Sequence, residues 1–391
     1  MGVFLKHRLS MLRSRKSPDP DQLSILPAQH IANPRRITLA RKRRGINQSE
    51  LAKLMGLHRR SVCGFESGEY QPSDENLARL ADVLVFPTDF FFGEDIDEPT
   101  LATGSFRSMS RMSAVYRDMA LCQAAIGLHV SKWLDTKFEP PVPSLPNLHR
   151  EKTPIVAAES LRRAWGIGAL TVRNMIHLLE SRGVRVFSLA VDAREVDAFS
   201  MWKGRTPFVF LNANKSSEHS RFDAAHELGH LVMHRDSPQG LQAEREADAF
   251  ASAFLMPQSS VLARASRFPT MKEIIKLKNL WGVSVAAMIH RLHDVELLTD
   301  WQYRGLCVEM TKLGYRESEP EEMTRETSLL LPKMLESLYE DGLSRSRIAA
   351  LLTISQAELE ALLFGLVLTG IEGGRRGNTS NDRPVGLELV K

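Results

Sequence analysis

Hydrophobic periodicity divides the chain into a helical start, a short mixed middle and a helical remainder. Leu51, Ala52 and Met55, then Leu57, Val62 and Phe65, recur at helical spacing in QSELAKLMGLHRRSVCGFESG (48–68). That spacing predicts two short helices around a turn at Gly56, with Gly68 ending the second. Leu77, Leu80, Ala81, Leu84 and Phe86 supply a further helix to close a small core. Residues 105–134 read as one longer helix through Met109, Met112, Val115, Met119 and Leu121. Helical spacing resumes over 154–182 and then switches to three short alternating segments, 184–189, 198–202 and 207–211, split by turn residues. After Asn212 the helical period returns and runs to about Leu368, broken near Pro257, Pro269, Gly282 and the charged stretch RESEPEE. The pattern predicts a mainly α fold with a small α+β domain carrying one three-stranded sheet.

GEDIDEPTLATG (93–104) and EPPVPSLPNLHR (139–150) have linker composition. The expected organisation is a basic flexible arm (1–30), a helical bundle (31–94), a linker with a bridging helix (95–150), the α+β domain (151–300), a helical C-terminal region (301–370) and a disordered polar tail (371–391). Hydrophobic residues at 43% and charged residues at 25% exclude collagen-like, wholly disordered and coiled-coil classes. No apolar run is long enough to span a membrane, and the N-terminus lacks the apolar core of a secretory signal. Cys63, Cys122 and Cys307 are too scattered for a disulfide framework or a cysteine zinc site, so a cytoplasmic location is expected.

The net charge of +4 is small, but its distribution is uneven. Between residues 35 and 60 stand Arg35, Arg36, Arg41, Lys42, Arg43, Arg44, Lys53, Arg59 and Arg60, opposed only by Glu50. Gln48 opens the first helix of the predicted pair, and Arg59 and Arg60 open the second, where side chains reach base edges in a major groove. Arg41, Lys42, Arg43 and Arg44 are expected on phosphates. The stretch 33–84 resembles the XRE, or lambda-repressor-like, helix-turn-helix family, which implies sequence-specific binding to a double-stranded operator as a homodimer. Gly64 departs from that likeness, standing where relatives often carry a base-reading polar side chain.

HELGH (226–230) puts His226 and His230 one helical turn apart on one face, with Glu227 beside them to activate a water. His234 lies on nearly the same face but about 12 Å further along an unbroken helix, too far to share an ion with His226. In EREADAFASAFLMP (244–257), Ala247, Ala251, Phe254 and Leu255 define a buried stripe. Glu244 and Asp248 fall on that stripe, whereas Glu246 points to the solvated side. Zinc for Glu244 and a ligand-histidine N–H for Asp248 would satisfy both inward acids, the structural alternative being ion pairs to Arg221 or Arg245. With the fourth coordination position open, Glu227 is the expected general base of peptide hydrolysis. The oxyanion stabiliser is open among His234, Arg221 and Lys215, and the 207–211 strand with Asn212 is expected to hold an extended peptide by β-addition. Residues from about 157 to 257 resemble the ImmA/IrrE metallopeptidase family. The likeness implies Zn2+ on His226, His230 and Glu244, catalysis by Glu227, and fusion to an XRE-type module.

Residues 340–366 form two amphipathic segments around a turn, but Glu358 and Glu360 would repel phosphate, so packing or dimerisation is expected instead of a second DNA reader. Trp301 and Tyr303 read as core or interface aromatics. Together these features predict a DNA-binding regulator whose zinc endopeptidase domain cleaves a repressor or antitoxin-like protein, or the chain itself. The alternative is a transcription factor whose metal-site domain is a sensor or scaffold without proteolysis.

Overall fold

Side-chain caps start most helices of the computed structural model, which describes residues 31–99, 113–189, 198–235 and 240–367. The expected N-terminal arm and C-terminal tail, and the 105–112 start of the bridging helix, lie outside the described residues. Asn33 caps α1 (Pro34–Arg43), whose first residue is a proline. Asn47 and Glu50 form a capping box on α2 (Gln48–Met55), which ends at Gly56 in the left-handed conformation. Next come α3 (Arg59–Ser67), ended by Gly68, and α4 (Asp74–Leu84). Leu51, Val62, Leu80 and Leu84 bury completely in the core of this bundle, and a 3-10 turn (Thr88–Phe92) covers it with Phe90 and Phe91. The long helix α5 (Ala114–Asp135) buries a face rich in alanine and packs on both α1 and the sheet.

Helices α6 (Pro154–Ala164) and α7 (Met175–Ser181) lead into strands β1 (Arg185–Leu189), β2 (Ala198–Lys203) and β3 (Thr206–Asn212). The sheet order is β1-β3-β2, with β1 parallel and β2 antiparallel to β3. β3 is therefore central, with both edges paired. This corrects the expectation that 207–211 receives a peptide: a strand already paired on both sides has no free backbone groups to offer. The edge beside the next helix belongs to β2. Asn212 is likewise buried and turned inward, accepting from the Asn214 N–H.

Two long helices, α8 (Ser217–Met233) and α9 (Leu241–Leu255), pack along each other, α8 against β2 and β3 and α9 against α6. They are followed by α10 (Gln258–Arg264), α11 (Met271–Trp281), α12 (Val285–Asp294) and α13 (Asp300–Lys312). The chain then crosses back over α8. Buried Lys278 bonds Glu218 at 2.8 Å and Glu319 at 3.4 Å, the Met323 N–H donates to Glu218, and Arg221 pairs with Glu326. The acidic stretch read from sequence as a break is thus a strap pinned by buried cations. Helices α14 (Leu330–Glu340), α15 (Arg345–Leu351) and α16 (Gln356–Leu363) complete the chain, with α16 on β1 and α5. Trp301 is 81% exposed, which corrects the core alternative for that residue, because α13 turns its opposite face inward. Tyr303 is half-buried against His290 and His293. No described helix is long and apolar enough to cross a membrane.

Candidate metal centre and DNA-reading face

Helix α8 is buried nearly all round, so polar groups along it need partners. Near its start Glu218 meets Lys278, and Arg221 meets Glu326, the Val172 carbonyl and the Trp281 carbonyl. Arg221 is consequently neither a partner for the acids of α9 nor an oxyanion donor. Lys215 precedes α8, about 15 Å of helix away from His226. Further along, Gly229 lets α9 approach: a Cβ there would stand 3.0 Å from the Phe250 ring and 3.4 Å from the Ala247 Cα. That close packing sets Glu244 of α9 opposite the two histidines of α8.

His226 Nε2 and His230 Nε2 lie 3.1 Å apart, and each lies 3.5 Å from a different oxygen of Glu244. Ligand atoms of the three residues all fall within 4.8 Å of one another, a group able to hold a metal ion. The partners behind them decide where the protons sit. His226 Nδ1 donates to Asp248 Oδ1 at 2.8 Å, His230 Nδ1 meets His234 Nδ1 at 3.1 Å, and His234 Nε2 donates to Glu246 at 2.9 Å. With each Nδ1 engaged on its outer side, both Nε2 atoms and the carboxylate converge on one point. Glu244 Oε1 is buried there with no hydrogen-bond donor. Two imidazole nitrogens and a carboxylate converging this closely fit a cation that takes the place of the His226 proton.

The same geometry sets the charges of the metal-free chain. Burial works against a charged His226, but hydrogen bonds to Asp248 and Glu244, with the nearby Glu227 charge, hold its imidazolium well above the usual range. Burial and the neighbouring His226 and His234 push His230 well below it. Glu227 itself is buried, and its backbone carbonyl accepts from Ser200 of β2 at 3.3 Å.

Two expectations for α9 are corrected. Asp248 is not inward: its side chain is 62% exposed and reaches His226 from the rim. Glu246 does not simply face solvent, since it takes a hydrogen bond from His234 as well as one from Gln242. The reason is the end of α8, where His234 leaves helical geometry at φ −114° and carries its ring toward α9. Periodicity along an unbroken helix could not locate it. Arg235 over the Trp202 ring at 4.0 Å, beside the site, also escaped the sequence reading.

In the N-terminal bundle the expected phosphate cations are mostly engaged inside the protein. Arg41 pairs with Glu66 at 2.5 Å and donates to the Ile46 carbonyl. Arg43 is buried against Glu358 at 2.8 Å, and Arg44 bonds the other Glu358 oxygen at 2.7 Å and lies over the Phe86 ring. The assignment of Arg43 to phosphate is corrected because it is buried, whereas Arg41 and Arg44 stay partly exposed but are engaged by acids of the protein. Lys42 is half-exposed near Asp118. Arg59 and Arg60 stand exposed at the start of α3. Gln48 is held by Glu66 at 2.8 Å and by Cys63 at 3.0 Å, with Arg59 at 3.4 Å. Gly64 is buried beneath Tyr70, where a Cβ would sit 2.0 Å from the ring, so this position packs instead of reading bases.

Comparison with known proteins matches two parts of the chain. Residues 37–91 match a family model described as helix-turn-helix, and residues 179–293 match one described as the IrrE N-terminal-like domain of a peptidase family. The second match runs from the end of α7 through α12, starting later and ending later than the likeness over 157–257 read from sequence. No curated protein matches the chain.

Proposed function

The chain fuses an XRE-type helix-turn-helix domain to an ImmA/IrrE-type metallopeptidase-like domain, and from that premise we propose a cytoplasmic transcriptional regulator with a zinc-dependent endopeptidase. Its substrate is a repressor or antitoxin-like protein, or the chain itself, and its DNA-binding form is a homodimer on a two-half-site operator. The observation that carries the peptidase reading is the convergence of His226 Nε2, His230 Nε2 and the Glu244 carboxylate on one point.

In this reading His226, His230 and Glu244 hold the ion, whose two-nitrogen, one-carboxylate set favours zinc. When bound, zinc supplies Lewis acidity that makes water a nucleophile near neutral pH. Glu227, next to His226 and enclosed by the fold, takes the proton from the attacking water and returns it to the leaving amine. Asp248 fixes the ring of His226, and the Glu246–His234 pair fixes that of His230. The edge strand β2, tied to α8 by Ser200 on the Glu227 carbonyl and Trp202 on the Leu231 carbonyl, is where an extended peptide would add.

For DNA, Arg59 and Arg60 read bases, and Gln48 is presented by Glu66 and Cys63 at the same edge. The peptidase reading is tested with Glu227→Gln, which keeps bound metal and abolishes cleavage of a co-expressed partner or of the chain. Cleavage that persists in that variant removes Glu227 as the base.

A further inference from the structure

Helix α13 buries only Met310 completely, although it is thirteen residues long. Tyr303, Leu306, Cys307 and Met310 share its inner side. The opposite side is a stripe of Trp301, Gly305, Val308 and Lys312 at intervals of four, three and four residues. Trp301 is 81% and Val308 54% exposed, and nothing among the described residues lies within 4 Å of where a side chain at Gly305 would begin. A surface tryptophan beside an open notch is a knob and a hole on one helix. Arg304 flanks the stripe on one side and Glu309 on the other, five residues later, and both are exposed.

We propose that this outer face of α13 joins two copies of the chain in parallel. The charge pattern selects both the partner and the direction. In a parallel two-stranded pair, a residue on one flank meets the residue five positions later on the opposite flank of the other strand. Arg304 then meets the partner's Glu309, and two-fold symmetry makes the pair twice. An antiparallel pair would set each flank against its own kind and leave Arg304 and Glu309 apart. Arg304 Nε donates to the Asp300 carbonyl of its own helix at 3.2 Å, and among the described residues Arg304 makes no salt bridge. Between the flanks, each Trp301 ring covers the space above Gly305, and Val308 packs on its own symmetry mate. Lys312 at the end of the stripe is a polar position that fixes register.

This surface gives a location to the pairing that the operator reading requires. Its test uses neither DNA nor proteolysis, so its failure and the failure of that reading are separate results. The full chain is measured by sedimentation equilibrium, with circular dichroism to confirm folding. The wild type is expected to be a dimer. Arg304→Glu and Glu309→Arg are each expected to weaken association by about tenfold or more, since both symmetric pairs turn repulsive at once. The double variant Arg304→Glu/Glu309→Arg restores it, and Trp301→Ala weakens it without rescue. A monomeric wild type, single reversals that leave the dimer unchanged, or a double variant that stays dissociated would each overturn the proposal.

Discussion

A carboxylate that is mostly in solvent orients one of the two imidazoles of the candidate metal site. Asp248 bonds His226 Nδ1 at 2.8 Å, turning Nε2 toward His230 and Glu244. Asp248→Asn is expected to leave the fold intact and weaken metal affinity by about 10–100-fold, read by competition with a chelating dye. Unchanged affinity would mean that packing alone sets the ring. The same contacts predict a pH dependence. His226 in the metal-free chain holds its proton well above the usual imidazole range, and metal must displace that proton, so apparent affinity falls as pH drops below the raised value. On the DNA side, Arg59→Ala is expected to cost about 1–3 kcal/mol on the preferred operator and little on unrelated DNA, measured by fluorescence anisotropy. Equal losses on both would place Arg59 on phosphate. His226 and His230 were legible as a pair because their spacing on one helix is local information, whereas Glu244 was read only from the apolar stripe of its own helix. The roles of Arg41, Arg43 and Arg44 were not legible, because a run of cations in sequence does not say which acids fold over it.

At the scale of elements, the alternating segments 184–189, 198–202 and 207–211 correspond closely to the strands at 185–189, 198–203 and 206–212. Alternation marks a strand but not its neighbours, and only the observed order β1-β3-β2 shows that the third strand is central. The contact between α8 and α9 was equally hidden, since it depends on Gly229 beneath Phe250. Gly229→Val puts branched carbon into that contact. It is expected to destabilise the chain by about 1–3 kcal/mol in denaturant unfolding and, by shifting α9, to separate Glu244 from the histidines and lower metal content. Native stability with full metal content would show that the helices can part without moving the ligands.

Over the whole molecule, Glu358 ties the two ends of the described chain together. Its oxygens bond Arg43 and Arg44, 315 and 314 residues away, so α16 and α1 are locked and the DNA-reading bundle is fastened to the body instead of tethered by a linker. Glu358→Ala would leave Arg43 buried without its partner, and breaking such a pair costs about 3–5 kcal/mol. Faster hydrogen exchange in α1 and a lower unfolding midpoint are expected, and unaltered exchange in α1 would mean that apolar contacts with α5 suffice. From sequence Glu358 was read only as a charge that repels phosphate, since nothing local couples it to residues more than three hundred positions earlier.

Whether His226, His230 and Glu244 form one metal site is decided by elemental analysis of the purified protein after dialysis without chelator, beside His226→Ala and Glu244→Ala. Close to one zinc per wild-type chain is expected, with loss of that metal in both variants while they remain folded. A folded wild type without bound metal, or variants that retain it in full, would contradict a site built from these three residues.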